Sequence, residues 1–260
     1  MDLVEAQAGG FEQPSRHPWE RARLALAARL IRAHVRPADG DLVIDIGCGD
    51  TFVVEALARE YPRTQFYAVD SAFTPELMAK LRSRMGVPNV TLFASLDDVP
   101  RTRPAALILL MDVLEHVSDD RGMLSAIARG PLVSRATRFL ITVPAYAALF
   151  CAHDRFLGHY RRYSLSSLHA LVRAGGLAPL HSGLFFTTLL PIRLLQVLVE
   201  RLVPSAREGA SGLATWRGRE FTARVLALVL EWDGRAALAL LAAGVRVPGL
   251  STFAICRTSA

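Results

Sequence analysis

Cysteine, lysine and long apolar runs are scarce in this 260-residue chain. Its three cysteines, Cys48, Cys151 and Cys256, are odd in number, scattered and free of any CxxC pair. That excludes a disulfide framework and a thiolate metal site, and it fits a reducing, cytoplasmic compartment. No stretch reaches the ~20 apolar residues needed to cross a bilayer. The apolar segments after residue 183 are interrupted by Arg193, Glu200, Arg224 and the Glu231–Arg235 cluster. The first residues, MDLVEAQAGG, hold two early acids and no apolar run, so they do not read as a secretory signal. Only one lysine, Lys80, stands among 30 basic residues.

The positive charge is unevenly spread. Residues 1–150 hold 17 basic and 18 acidic side chains, whereas residues 151–260 hold 13 and 6. An excess confined to the C-terminal part favours an anionic substrate or a membrane surface there over a general nucleic-acid coat. Hydrophobic content of 52% leaves ample material for a core, in one α/β domain with an elaboration.

Along the chain, residues 1–14 read as a leader, and Pro14–Val35 as an amphipathic helix closed before Pro37. Strand and helix signals then alternate, with strands expected at 41–46, 64–70, 89–94, 105–112 and 138–145. The intervening helices include one with Thr74 as N-cap and Pro75 at its first position. Such alternation gives βαβ units and a mostly parallel sheet covered on both faces, a doubly wound α/β architecture. A polar segment, CAHDRFLGHYRRYS (151–164), leads to a helix from Ser164 to Gly175, a short strand at 178–183 and a last strand at 250–258.

The sharpest local signal is Val43-Ile44-Asp45-Ile46-Gly47-Cys48-Gly49-Asp50, a buried strand running into a Gly-rich turn with a helix behind it. Gly47 and Gly49 allow close backbone approach to a ligand. The dinucleotide pattern GxGxxG is broken by Phe52, whose ring would hinder pyrophosphate approach. Asp45 and Asp50 place negative charge where a pyrophosphate would lie, which suits a ligand bearing an ammonium and a sulfonium.

This run resembles motif I of the class I S-adenosylmethionine-dependent methyltransferases, with Thr51 where a third glycine is common. The fourth strand ends in LMDVLEHVSDD, which resembles the corresponding strand end of the same family. The resemblance covers residues 41–145. It implies a seven-stranded, Rossmann-like sheet and S-adenosylmethionine as cofactor. It further implies that Asp45, Gly47, Cys48 and Gly49 cradle the cofactor, that Asp70 takes the ribose hydroxyls, and that Ser95 and Leu96 flank the adenine. Asp112 and Val113 would flank the methionyl part, with His17 and Trp19 on a lid helix. Asp112, Glu115 and His116 also resemble the metal triad of quinone-biosynthesis O-methyltransferases and small-RNA 2′-O-methyltransferases, completed by a later imidazole such as His153. The bare reading has Glu115 and His116 order the loop without metal, and no metal is the expectation.

The sulfonium methyl group is already activated, so the protein must align the acceptor, exclude water and remove a proton from a hydroxyl. His153, beside Asp154, is the expected general base with its orienting partner, because imidazoles exchange protons near neutrality. His116, His159, Tyr160, Arg161, Arg162 and Tyr163 are expected to contact the acceptor. The HD…GHxRRYS string resembles a bacterial methyltransferase subgroup linked with envelope glycolipid or polysaccharide pathways.

In such a fold the last two strands normally pair closely, yet residues 184–249 intervene as a helical, apolar insertion. Arg193, Gln196 and Glu200 form a thin polar stripe on the helix from about Pro191, and Arg201, Arg207, Arg217, Arg219 and Arg224 flank the apolar segments. Two readings stay open. The insertion rests peripherally on the inner face of an anionic membrane, or it buries its apolar faces against itself or a second subunit. The expected organisation is a leader and lid helix at 1–40, a cofactor-binding core at 41–183, the insertion at 184–249 and a final core strand at 250–260. The expected activity is methyl transfer to a hydroxyl, less so a carbon, of a small or lipid-linked acceptor. A non-catalytic, membrane-associated scaffold that binds the cofactor is the alternative.

Overall fold

The computed structural model describes residues 16–203 and 220–259. The expected leader and the arginines at 207, 217 and 219 lie outside the described residues. In chain order the elements are α1 (Pro18–His34), β1 (Leu42–Ile46), α2 (Phe52–Glu60), β2 (Gln65–Val69), α3 (Pro75–Arg84), β3 (Val90–Phe93), β4 (Leu107–Met111) and α4 (Asp120–Ala128). There follow β5 (Arg138–Pro144), α5 (Ala152–Phe156), α6 (Leu165–Ala174), β6 (Leu177–Phe185), α7 (Leu189–Leu202), α8 (Glu220–Ala242) and β7 (Ser251–Thr258).

The seven strands form one sheet in the order β3-β2-β1-β4-β5-β7-β6. The first five are parallel, while β7 runs antiparallel between β5 and β6. The central strands are mostly apolar because helices cover both faces, and every residue of β1 and β4, Asp45 included, is buried. Side chains alternate between the two cores. Val43 enters the one lined by α1 and α2, whereas Leu42, Ile44 and Ile46 enter the other, with Leu124 of α4 and Leu168 of α6. Each such aliphatic side chain contributes roughly 1.5–3 kcal/mol on burial. The strand order reverses between β1 and β4, and open α/β sheets bind ligands in the crevice outside the carboxyl ends there.

The helices α7 and α8 stand between β6 and β7. Small residues of α8 (Ala223, Ala227, Gly234 and Ala237) are buried. A Cβ at Gly234 would meet Leu26 Cδ1 of α1 at 2.3 Å, so glycine there permits the close approach of the two helices. The polar interruption at Glu231–Arg235 lies inside one continuous helix. Arg235 pairs with Glu231 at 3.6 Å, and Asp233 Oδ1 accepts the Thr188 backbone N–H at 3.4 Å. Among the described residues no helix is long and apolar enough to cross a membrane.

Candidate functional site

Behind β1 the chain turns with Gly47 at φ +71° and Gly49 at φ +59°. The Gly47 and Cys48 N–H groups donate to the Val69 carbonyl at 2.8 and 3.2 Å, fastening the turn to the end of β2. Asp70 then receives the Gly49 N–H on Oδ2 at 2.9 Å and the Ala72 N–H on Oδ1 at 3.0 Å. A Cβ at Gly47 would sit 2.6 Å from Val113 Cγ2, so the loop after β4 leaves no room for a side chain. Thr51, where a glycine is common, takes the left-handed conformation itself at φ +68°. Its buried hydroxyl is held by the Asp50 carbonyl at 2.6 Å and Glu55 Oε1 at 2.8 Å.

Asp45 is buried beneath this turn. Burial pushes its carboxyl up to about 7, against the pull of the Arg23 guanidinium and with a further push from Asp70. Arg23 comes from α1, where Trp19, Arg23, Leu26 and Ala27 share one helix face. Its guanidinium lies 4.5 Å from the centre of the Trp19 ring, and Nη1 pairs with Asp112 Oδ2. Its buried Nε has no partner among the described residues. Asp112, directly after β4, lies in the left-handed region at φ +57°, a conformation that persists only where its surroundings enforce it. Sequence reasoning missed Arg23. The available signal was a charge on the apolar face of the helix, four residues after a tryptophan.

These elements border a cavity of about 1000 Å³. It brings together all nine expected cofactor residues, Asp45, Gly47, Cys48, Gly49, Asp70, Ser95, Leu96, Asp112 and Val113, with His17 and Trp19 of the lid. His116, His153, His159 and Arg162 also line it, as do Leu189, Ile192, Arg193 and Gln196 around α7. The volume suits a nucleoside cofactor beside a second molecule.

The polar segment after β5 departs from expectation. Asp154 is fully buried and accepts His159 Nδ1 at 2.9 Å, Arg162 Nε at 2.7 Å and the Cys151 N–H at 2.9 Å. Burial raises this carboxyl, but the hydrogen bond from His159 and the Arg162 guanidinium outweigh it and hold it well below the usual carboxylate range. The imidazole that Asp154 orients is thus His159, in place of the expected His153. Consecutive residues of α5 point about 100° apart, which is why sequence neighbours make a poor dyad there. Tyr160, Arg161 and Tyr163 fall outside the cavity. Tyr160 is exposed, while Arg161 binds the Ser118 carbonyl and pairs with Asp120 at 2.8 Å. Tyr163 is buried, its hydroxyl donating to Asp120 Oδ2 at 2.7 Å. Arg162 serves the Asp154 hub and also donates to the Ala145 carbonyl.

Glu115 is fully buried, and neither carboxylate oxygen has a hydrogen-bond partner among the described residues. Burial, with Asp112 adding to it, pushes its carboxyl well up. Glu115, His116 and His159 each place one ligand atom within 4.8 Å of the others. This grouping differs from the triad of the resemblance, since Asp112 is engaged by Arg23 and His159 stands with Glu115 and His116.

Residues 19–182 match the family described as a methyltransferase domain. A trans-aconitate 2-methyltransferase of Pseudomonas aeruginosa is 32% identical over 91 residues, which span 35% of this chain and 32% of that protein. The chain thus matches about a third of that relative's length. Among solved structures, the methyltransferase in complex with the Haloferax volcanii Trm112 methyltransferase activator superposes with a TM-score of 0.59 at 17% identity. That match covers 100% of this chain and 99% of the other. Coclaurine N-methyltransferase, bound to N-methylheliamine and SAH, superposes with a TM-score of 0.56 at 14% identity, covering 92% of this chain and 71% of the other. These structures share the fold.

Proposed function

The chain belongs to the methyltransferase-domain family, and from that premise we propose that it moves the methyl group of S-adenosylmethionine to an acceptor hydroxyl. One observation carries the reading. Four strand ends deliver every expected cofactor residue to a cavity that also holds an imidazole fixed by a buried carboxylate.

The residues present fit the cofactor. Gly47 leaves the cradle that a Cβ would fill, and Asp70 stands at the end of β2 for a ribose. The orphaned Arg23 Nε is a donor for the α-carboxylate of an amino-acid tail. Asp45 and Asp70 supply a field that suits a cation. When bound, S-adenosylmethionine supplies a methyl group on a sulfonium already activated for attack.

This chain's own residues then do the rest. Asp154, being ionised, can only accept, so His159 carries a proton on Nδ1 and presents a bare Nε2 when neutral. The Nε2 of His159 would take the proton that the acceptor hydroxyl gives up on methylation. Lid residues Trp19 and Arg23 keep water from the reacting atoms.

A second reading is favoured by the Glu115–His116–His159 cluster with its unpartnered carboxylate oxygens. A divalent cation there would take oxygen and imidazole ligands and bind the acceptor oxygen in place of the base. Calorimetry with S-adenosylhomocysteine, followed by turnover of labelled cofactor with and without chelator, separates the cases. Binding and chelator-resistant turnover support the base. Chelator-sensitive turnover restored by a divalent cation supports the metal. Binding without turnover leaves a scaffold, and absence of binding sinks the proposal.

A further inference from the structure

The helices α7 and α8 are built inside out. On α7, Arg193, Val197 and Glu200 recur at steps of four and three and face the domain. Arg193 Nη1 donates to Cys151 Sγ, and the buried Glu200 accepts the Ala152 N–H at 2.8 Å. The polar stripe is therefore spent on fastening the helix, which leaves Leu194, Leu195, Leu198 and Leu202 more than half exposed. On α8 the inward face is mostly alanine and glycine, with Leu230, and the outward one carries Phe221 at 78% and Trp232 at 64% exposure. Most large exposed apolar side chains of the described residues lie on this insertion, a concentration beyond single scattered residues.

Three observations identify what covers this face. The first is charge. Among the described residues Arg201, Arg224 and Arg246 are exposed at the edges of these helices, Arg224 also pairing with Glu220 at 2.8 Å. Two copies packed by a two-fold axis would set arginine against arginine, whereas anionic headgroups complement it. Trp232, with the Arg235 guanidinium 4.6 Å from its ring centre, has the amphipathic character favoured at a lipid–water boundary. The third is continuity: Leu189, Ile192, Arg193 and Gln196 line the cavity that also holds His159.

We propose that the outward faces of α7 and α8 lie on an anionic bilayer surface and lead a lipid-anchored acceptor into the cavity past Ile192. The docking surface stands on the helices alone, while the identity of the cargo rests on the methyl-transfer reading.

The test is flotation of the full chain with vesicles of mixed phosphatidylglycerol and phosphatidylcholine, and with phosphatidylcholine alone. The chain is expected to float with the anionic vesicles and to partition at least ~10-fold less onto neutral ones. A Leu195→Glu, Trp232→Glu double variant changes only exposed positions outside the cavity. It is expected to lose at least ~10-fold in partitioning while keeping its circular dichroism and its affinity for S-adenosylhomocysteine. Label from the cofactor should enter the organic phase when vesicles are made from a total polar lipid extract, and at least ~10-fold less of it with the variant. Wild type that stays in the bottom fraction, or a variant that floats equally well, overturns the surface. So does a wild-type dimer that the variant splits into monomers. Label found only in water-soluble products overturns the cargo. A chain that floats yet ignores S-adenosylhomocysteine sinks the transfer reading and leaves the surface standing.

Discussion

The wall of the cavity behind β1 and β2 is made of backbone, in turns only a few residues long. Gly47 and Gly49 hold left-handed conformations, and Asp70 is fixed by two backbone N–H groups within two residues of it or in the facing turn. The wall beyond β5 is made of side chains drawn from distant segments, with Asp154 holding His159 and Arg162 together, and Glu200 of α7 clasping α5. Backbone turns tolerate almost no change of residue yet demand little of the rest of the chain. A side-chain hub is the reverse, since its members can be exchanged only together. The first wall is suited to a ligand that never changes, and the second to an acceptor that differs from one relative to the next.

The largest expected effect lies on the second wall. His159→Gln keeps a donor for Asp154 but removes the bare ring nitrogen, so kcat should fall by about 10²–10⁴ while affinity for S-adenosylhomocysteine stays within about threefold. His153→Gln should cost less than about tenfold, because Asp154 orients the other ring. Single-turnover kinetics on both variants checks this. If His153→Gln proves the more damaging, the comparison fails on its side-chain wall and His153 returns as base.

On the first wall, Gly47→Ala should act on binding and stability together. Its Cβ would lie 2.6 Å from Val113 Cγ2, on a backbone at φ +71°. Left-handed strain of about 1–2 kcal/mol and overpacking of about 1–3 kcal/mol add to a loss of roughly 2–5 kcal/mol in stability. Affinity for S-adenosylhomocysteine should drop by on the order of 100-fold, since the turn must move from the ligand or from the loop after β4. Denaturant titration and calorimetry read the two effects. Retention of both would show that the loop after β4 yields easily and that this wall is not rigid.

The two walls also differ in how far they could be read in advance. The strands, their order of appearance and the turn at 45–50 were legible, because periodicity and glycine placement act over a few residues. The resemblance added the seven-stranded sheet, which the structure shows with β7 antiparallel. Thr51 was visible as a departure, but its left-handed backbone was not. The salt bridge from Arg23 to Asp112 joins residues 89 positions apart, beyond the reach of local pattern. His153, the expected base, also lines the cavity, but Asp154 binds the ring of His159, five residues on, a pairing that adjacency in sequence did not suggest. The expected stripe on α7 took in Gln196, which is exposed, and the inward place falls to Val197, because the helix is turned by Glu200 accepting the Ala152 N–H, a tertiary fact.

Asp45 carries the smallest of these effects and separates the walls by pH. Burial raises its carboxyl to about 7 in the folded protein, whereas an unfolded chain releases that proton near 4. The native state therefore holds the proton more tightly than the unfolded state across this interval. By linkage the Asp45 contribution is fully present below about pH 4, declines as pH rises, and is lost once pH passes about 7. Asp45→Asn keeps the neutral shape at every pH, so it should match wild type near pH 4 and exceed it above pH 7. A difference on the order of 2 kcal/mol, or a few °C in Tm, is expected at pH 8. Thermal melts from pH 4 to 8.5 measure it. Parallel curves for the two proteins would mean that Arg23, despite its pairing with Asp112, keeps Asp45 ionised, and the field beneath the turn would then be more negative than the folded pKa implies. A gap that opens with pH would instead show that the backbone wall conceals a neutral acid at neutral pH, ready to ionise when a cation settles above it.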